Sequence, residues 1–151
     1  MPMMPKILKT TGIWILALLL GAFVPALAFC VTLLDLSFLM LAFPITLAHA
    51  VIFGLPAALL YRAMKWTGPV CAALGGFIIG AVPLGIYMWP VDRATGANAW
   101  NATAQTIRDG VPTLQGWLQY AEFHGSMGLA GVVGALTFWA ILKWGGVLRT
   151  S

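Results

Sequence analysis

Charged residues punctuate this chain, and the stretches between them are long and apolar. Lys6 and Lys9 come first, followed by an uncharged run from Gly12 to Leu34 that Asp35 interrupts. A second run, Leu36 to Tyr61, closes at Arg62 and Lys65, and a third extends from Trp66 to Pro90. After a polar stretch from Val91 to about Gln119, a fourth run, Gly125 to Leu142, closes at Lys143, Trp144 and Arg149. A helix needs roughly 20 apolar residues to cross a hydrocarbon core of about 30 Å, and each run reaches or approaches that length. The pattern predicts an all-α integral membrane protein: one domain over 1–151, built as an up-down bundle of four transmembrane helices near 12–33, 39–61, 67–89 and 122–143. An outer loop over about 90–121 joins the third helix to the fourth. Short first and second connections predict that sequential helices pack antiparallel.

Composition excludes the soluble alternative. The 151 residues are 61% hydrophobic and 8% charged, with a mean hydropathy of +0.94. So few charges cannot coat a water-soluble globule, which leaves lipid as the partner of the surplus apolar surface. The net charge of +4 has no basic run or basic–aromatic patch behind it, so nucleic acid is not an expected partner. It sets orientation instead. With the N-terminus in the cytoplasm, the inner side holds Lys6, Lys9, Arg62, Lys65, Lys143 and Arg149, and the outer side only Arg93 and Arg108. The acids Asp35, Asp92, Asp109 and Glu122 all fall outside. The positive-inside rule then puts both termini in the cytoplasm, and a bacterial inner membrane is the expected compartment. Trp66, Trp89 and Trp144 stand at span ends, as an aromatic belt requires. Lys6, Lys9, a short apolar core and Ala26-Leu27-Ala28 also resemble a cleavable signal peptide. The apolar run continues through Phe29, Val31, Leu33 and Leu34, however, which is longer than a signal core. Phe29 also occupies the position where a lipobox at Cys30 would need a small residue.

Lipid tails are as apolar as leucine, so membrane helices associate through close packing of small residues. Ala50, Gly54 and Ala58 supply such a row in the second span, Ala72, Gly76 and Gly80 in the third, and Ser126, Ala130 and Gly134 in the fourth. The fourth also carries Gly125, Gly128, Gly131 and Gly134. These rows are expected to hold one compact bundle, the sharper alternative being that one binds a second protein or a second copy. Pro25, Pro44, Pro56 and Pro83 lie inside apolar runs, where a missing backbone donor tends to kink a helix.

In the outer loop, Asn101 to Arg108 is expected to form a short helix ended by the Asp109-Gly110 turn. Thr113 is suited to cap a helix that runs into the fourth span, with Leu114, Trp117, Leu118 and Ala121 on one side. Trp100, Trp117 and Tyr120 are expected interface anchors, and belong to the residue types that dominate protein-binding hot spots. Asn101-Ala102-Thr103 matches a glycosylation acceptor, meaningful only in a eukaryotic secretory route.

Candidate chemistry is sparse. His49 falls near the middle of the second span, where a polar side chain is costly and marks a functional candidate. It could relay a proton or contact a solute, or simply bond to a carbonyl or to Thr46. Glu122 and His124, two residues apart, point in different directions, so they are a poor chelating pair and are expected at a solvated helix end. His49 and His124 differ in depth by about 15 Å, counting 1.5 Å per residue, which excludes bis-histidine haem. Cys30 and Cys71 are separated by roughly 20 Å on the same count, too far for a disulfide. Asp35 is expected in the first outer turn. No phosphate loop, HExxH, GxSxG, CxxC or paired intramembrane carboxylate occurs, so neither cofactor nor metal is expected and an enzyme is the least supported class.

Three functional classes follow. The first is a membrane protein acting by protein–protein interaction, with a second membrane protein, a toxin or its own copy as partner. In gross architecture alone it is similar to the small multi-pass immunity proteins that guard bacterial inner membranes from pore-forming toxins. The second is a small transporter or channel subunit with His49 and the kinks near Pro44 and Pro56 lining a path. The third is an accessory subunit of a larger membrane complex.

Overall fold

The structure, a computed structural model, describes residues 3–89, 107–108 and 111–148. Among these the fold is all-α. Helix α1 is Met3–Thr32, and a 3-10 turn, Leu36–Phe38, leads into α2, Leu39–His49. A π-helical turn, Ala50–Gly54, joins α2 to α3, Leu55–Ala63, so that 36–63 is one continuous rod. Helix α4 is Pro69–Tyr87 and α5 is Leu114–Trp144. Four helical segments, Ile7–Thr32, Leu36–Ala63, Pro69–Tyr87 and Leu114–Trp144, are long and apolar enough to cross a membrane.

Boundaries differ from the hydropathy reading where local signals outweigh it. Helix α1 starts before Gly12, with Pro5 in its first turn, where a helix tolerates the missing amide. Helix α5 starts at Leu114, ahead of the apolar span near 122–143, as the expected Thr113 cap requires: its side chain accepts the Gly116 amide at 3.2 Å, satisfying one of the first-turn donors. The expected loop therefore loses 114–121 to helix. The expected short helix over 101–108 is corrected at its end: Ile107–Arg108 is a strand paired antiparallel with Val111–Pro112. Trp100, residues 101–106 and Asp109-Gly110 lie outside the described residues.

Helix ends are closed by hydrogen bonds that reach back over the last turn. After α1, Leu34 adopts φ 54°, and the amides of Leu34 and Asp35 return to Val31 and Cys30. After α3, Lys65 adopts φ 62° and Trp66 returns to Tyr61. Both are Schellman closures with a side-chain-bearing residue where glycine is usual. Asp35 then opens the next turn by accepting the Ser37 amide at 2.9 Å. Hydrogen bonding from Ser37 holds this exposed carboxyl below its ordinary pKa.

Two of the three sequential pairs of long helices pack against each other, and the second and third do so only sparingly. Helix α1 packs against α2 and α5, and α5 packs along α4. The α1 face that supports this is Ala17, Ala22, Ala26 and Cys30, all within 1% of full burial. By contrast, the 36–63 rod touches α4 only sparingly although a short turn joins them. Ala50, Gly54 and Ala58 on one side and Ala72 on the other line the gap that remains between them, which is bridged by the Tyr61 ring over Gly75 and by His49 at Ile79. Large apolar side chains cover the outside of every helix, among them Leu16, Met40, Ile52, Ile78, Ile86 and Leu129.

The small-residue rows act differently from one another. Gly76 and Gly80 do meet a helix, but it is α5: a Cβ at either would strike the backbone carbonyl of Gly131 or Met127 respectively. The matching row on α5 is thus Met127, Gly131 and Ala135, and Ser126–Ala130–Gly134 is not one groove. Ser126 is exposed and bonds its own turn at Phe123, and Gly134 faces α1 at Gly21. That last contact has a backbone cause. Pro25 removes the amide that would bond the Gly21 carbonyl four residues back, and a Cβ at Gly134 would stand 2.6 Å from that freed oxygen.

Candidate functional site: an apolar cleft between the second and third helices

The gap left between the 36–63 rod and α4 is a cleft of about 280 Å³. Ala50, Gly54 and Ala58 line one wall, Ala72, Gly76 and Gly80 the other, and Gly131 with Ala130 and Gly134 closes the back. Gly54 shows how open it is: a Cβ there would meet only the Ala50 side chain, at 3.9 Å. Along α4 the lining runs from Gly68 to Leu84, about 24 Å at 1.5 Å per residue.

His49 sits in the cleft wall, where α2 passes into the π turn. Its Nε2 lies 3.1 Å from the Ile79 carbonyl across the gap. A carbonyl only accepts, so Nε2 carries the proton and donates. Ile79 is four residues before Pro83, whose ring nitrogen has no hydrogen to give back. His49 therefore supplies from another helix the donor that Pro83 withholds. The ring also rests on Phe53, with centroids 4.9 Å apart. Thr46, the other partner considered for His49, bonds instead to Ala22 at 3.0 Å and Phe43 at 2.9 Å.

The π turn has a similar origin. Leu55 donates to Ala50, five residues back, and Pro56 follows it. A proline ring crowds the carbonyl four residues earlier, here that of Ile52, and one widened turn relieves the crowding. Pro25, Pro44 and Pro83 lie within unbroken α-helix.

Two further cross-helix bonds fix α4 at its ends. Trp139 Nε1 donates to the Thr67 carbonyl at 2.7 Å, and the Tyr120 hydroxyl donates to Gly85 at 2.7 Å. Gly85 is among the last carbonyls of α4, which no amide of the helix can reach. The polar groups near the cleft are thus largely committed to backbone. Arg62 is the one charged residue in its lining, at the end where α3 gives way to α4. Lys9, Lys65 and Lys143 share that end, whereas the described acids, Asp35 and Glu122, lie toward the other.

The opposite end carries an aromatic cluster. Trp89, Trp117 and Tyr120 meet pairwise at centroid distances of 5.5 to 5.9 Å, and Tyr120 covers His124 at 4.1 Å. His124 is 7% exposed, so the solvated position expected for it is corrected. Its Nδ1 donates to the Tyr120 carbonyl at 2.7 Å, and the ring fits over Gly85, where a Cβ would stand 3.5 Å from it. The closer neighbour of Gly85 is the Tyr120 hydroxyl, 3.0 Å from where a Cβ would stand. Glu122 is exposed on another side of α5, so the two do not come together. Trp117 is half-exposed within the cluster. Cys30 is buried, Cys71 partly so, and both are free thiols.

No protein family, curated protein or solved structure matches this chain.

Sequence reasoning missed the cleft itself, Arg62 as its charged end and Gly21 as the α1 contact. Gly21 had a signal, since Ala17 and Pro25 flank it at helical spacing.

Proposed function

We propose that this chain is a four-span membrane protein, with both termini in the cytoplasm, that acts by binding another component of the bilayer in the cleft between its second and third spans. One observation carries the reading. Of the first helix's most apolar window, 33% is buried within the protein, but of the window in Leu36–Ala63 none is. Membrane helices are held by packing, not by exclusion from water. A span packed along one edge, with a row of small residues facing an unfilled gap, is the element available to a guest.

The reading keeps the interaction class and moves its site from the outer loop to the cleft. A partner subunit or a toxin helix would enter by the same row of small residues. The transport class draws less support, because the lining is apolar, holds no carboxylate, and His49 is already committed to Ile79.

A photo-crosslinking residue placed at Ala58 tests this in native membranes, with Leu129 on the outward surface as the control. The expected outcome is a discrete adduct at 58 well above the level at 129. Equal, diffuse labelling at both positions would show that the cleft holds nothing in particular.

A further inference from the structure

Resting on the cleft as the binding site, we infer that its occupant is the acyl chain of an anionic phospholipid, with the headgroup phosphate at Arg62. The cleft is apolar along its length, which suits a hydrocarbon chain and offers nothing to an ion in transit. From the Arg62 end to the His49–Ile79 bridge the slot runs about 16 Å by helical rise, against about 15 Å for one leaflet of a 30 Å hydrocarbon core. A chain anchored at the Arg62 end therefore lies wholly inside it.

The charge distribution selects the headgroup. Arg62 stands at the mouth of the slot and is the lone charge in its lining. Lys65 follows one turn later, and the two described acids lie toward the far end of the helices. A planar guanidinium takes a phosphate in a bidentate fork. The positive-inside orientation puts this mouth at the cytoplasmic leaflet, where anionic lipids concentrate. Trp66 and Trp139 line the same end, at the depth where indoles sit beside headgroups. Because lipid tails are as apolar as the cleft wall, the tail gives fit and the headgroup gives preference. One basic contact favours an anionic over a zwitterionic lipid by about fivefold.

The test uses the purified full chain in phosphatidylcholine vesicles doped with either phosphatidylglycerol or phosphatidylcholine bearing a diazirine near the tail end. Labelled residues are mapped by mass spectrometry. The inference expects the anionic probe to label Ala50 and Ile79, which line the cleft at the depth of the tail end, about fivefold more than the zwitterionic one, with equal labelling at Leu129. Arg62→Gln is expected to erase the difference. Gly54→Leu, which meets no backbone of a neighbouring helix, is expected to suppress cleft labelling by both probes and leave Leu129 unchanged. Equal labelling of the cleft by the two probes, or insensitivity to Arg62→Gln, overturns the inference. A protein adduct at Ala58 in native membranes, together with no lipid labelling of the cleft, overturns it while keeping the cleft as a binding site. Absence of both kinds of adduct removes the cleft as well.

Discussion

Gly131→Leu is expected to prevent α4 and α5 from assembling. A Cβ at position 131 would collide with the Gly76 carbonyl oxygen, stand 3.0 Å from its carbon and 3.2 Å from the Gly80 Cα. All three are backbone atoms, so no rotamer change on the partner relieves the clash and the helices must separate. Overpacking costs about 1–3 kcal/mol where side chains give way, and here the cost should reach or exceed the top of that range. Against a total stability of about 5–15 kcal/mol, that is a large share. Denaturation in mild detergent, followed by circular dichroism, reads the loss. Gly125→Leu is the control, since a Cβ there meets nothing within 4 Å. If Gly131→Leu is no less stable than Gly125→Leu, the α4–α5 contact is not as close as described.

The second large effect concerns His49. His49→Leu removes the donor to a carbonyl that Pro83 has already left without its helical partner. An unsatisfied buried acceptor costs about 1–3 kcal/mol. The pairing makes a sharper prediction than the loss alone. Pro83→Ala restores an amide that can bond Ile79 within α4, so His49→Leu should cost markedly less in that background. A double-mutant cycle measures the coupling. Equal costs in both backgrounds would mean that His49 has a role other than answering Pro83, and the proton-relay reading would regain ground.

These two sites show what could and could not be seen in the sequence. The four long apolar helices were legible because charges bracket each apolar run, and hydropathy needs no partner to be read. The extension of α5 to Leu114 was legible from Thr113, since capping is local. Which row of small residues meets which helix was not legible. Ser126, Ala130 and Gly134 have the right spacing, yet the row at Met127, Gly131 and Ala135, one position away, meets α4. Spacing defines a row, but only the crossing of two helices selects one. The cleft escaped for the same reason, because an unfilled row and a filled row read alike. His49 was conspicuous as a polar residue at mid-span, but its partner, Ile79, is 30 residues away and is marked only by Pro83. His124 looked like a helix-end residue. Gly85 and Tyr120, brought to it by the return of α5, turned it inward.

The proposed site requires a chain that crosses the bilayer four times with its basic end inside. Single cysteines at Ser37 and Met64, in a Cys30→Ala and Cys71→Ala background, test this with a membrane-impermeant maleimide applied to cells whose outer barriers have been removed. Ser37 is exposed in the turn after α1, and Met64 in the turn before α4. The account predicts that the cysteine at 37 reacts in sealed cells and the one at 64 only after the membrane is opened. Reaction at 64 in sealed cells, or protection at 37, would contradict it.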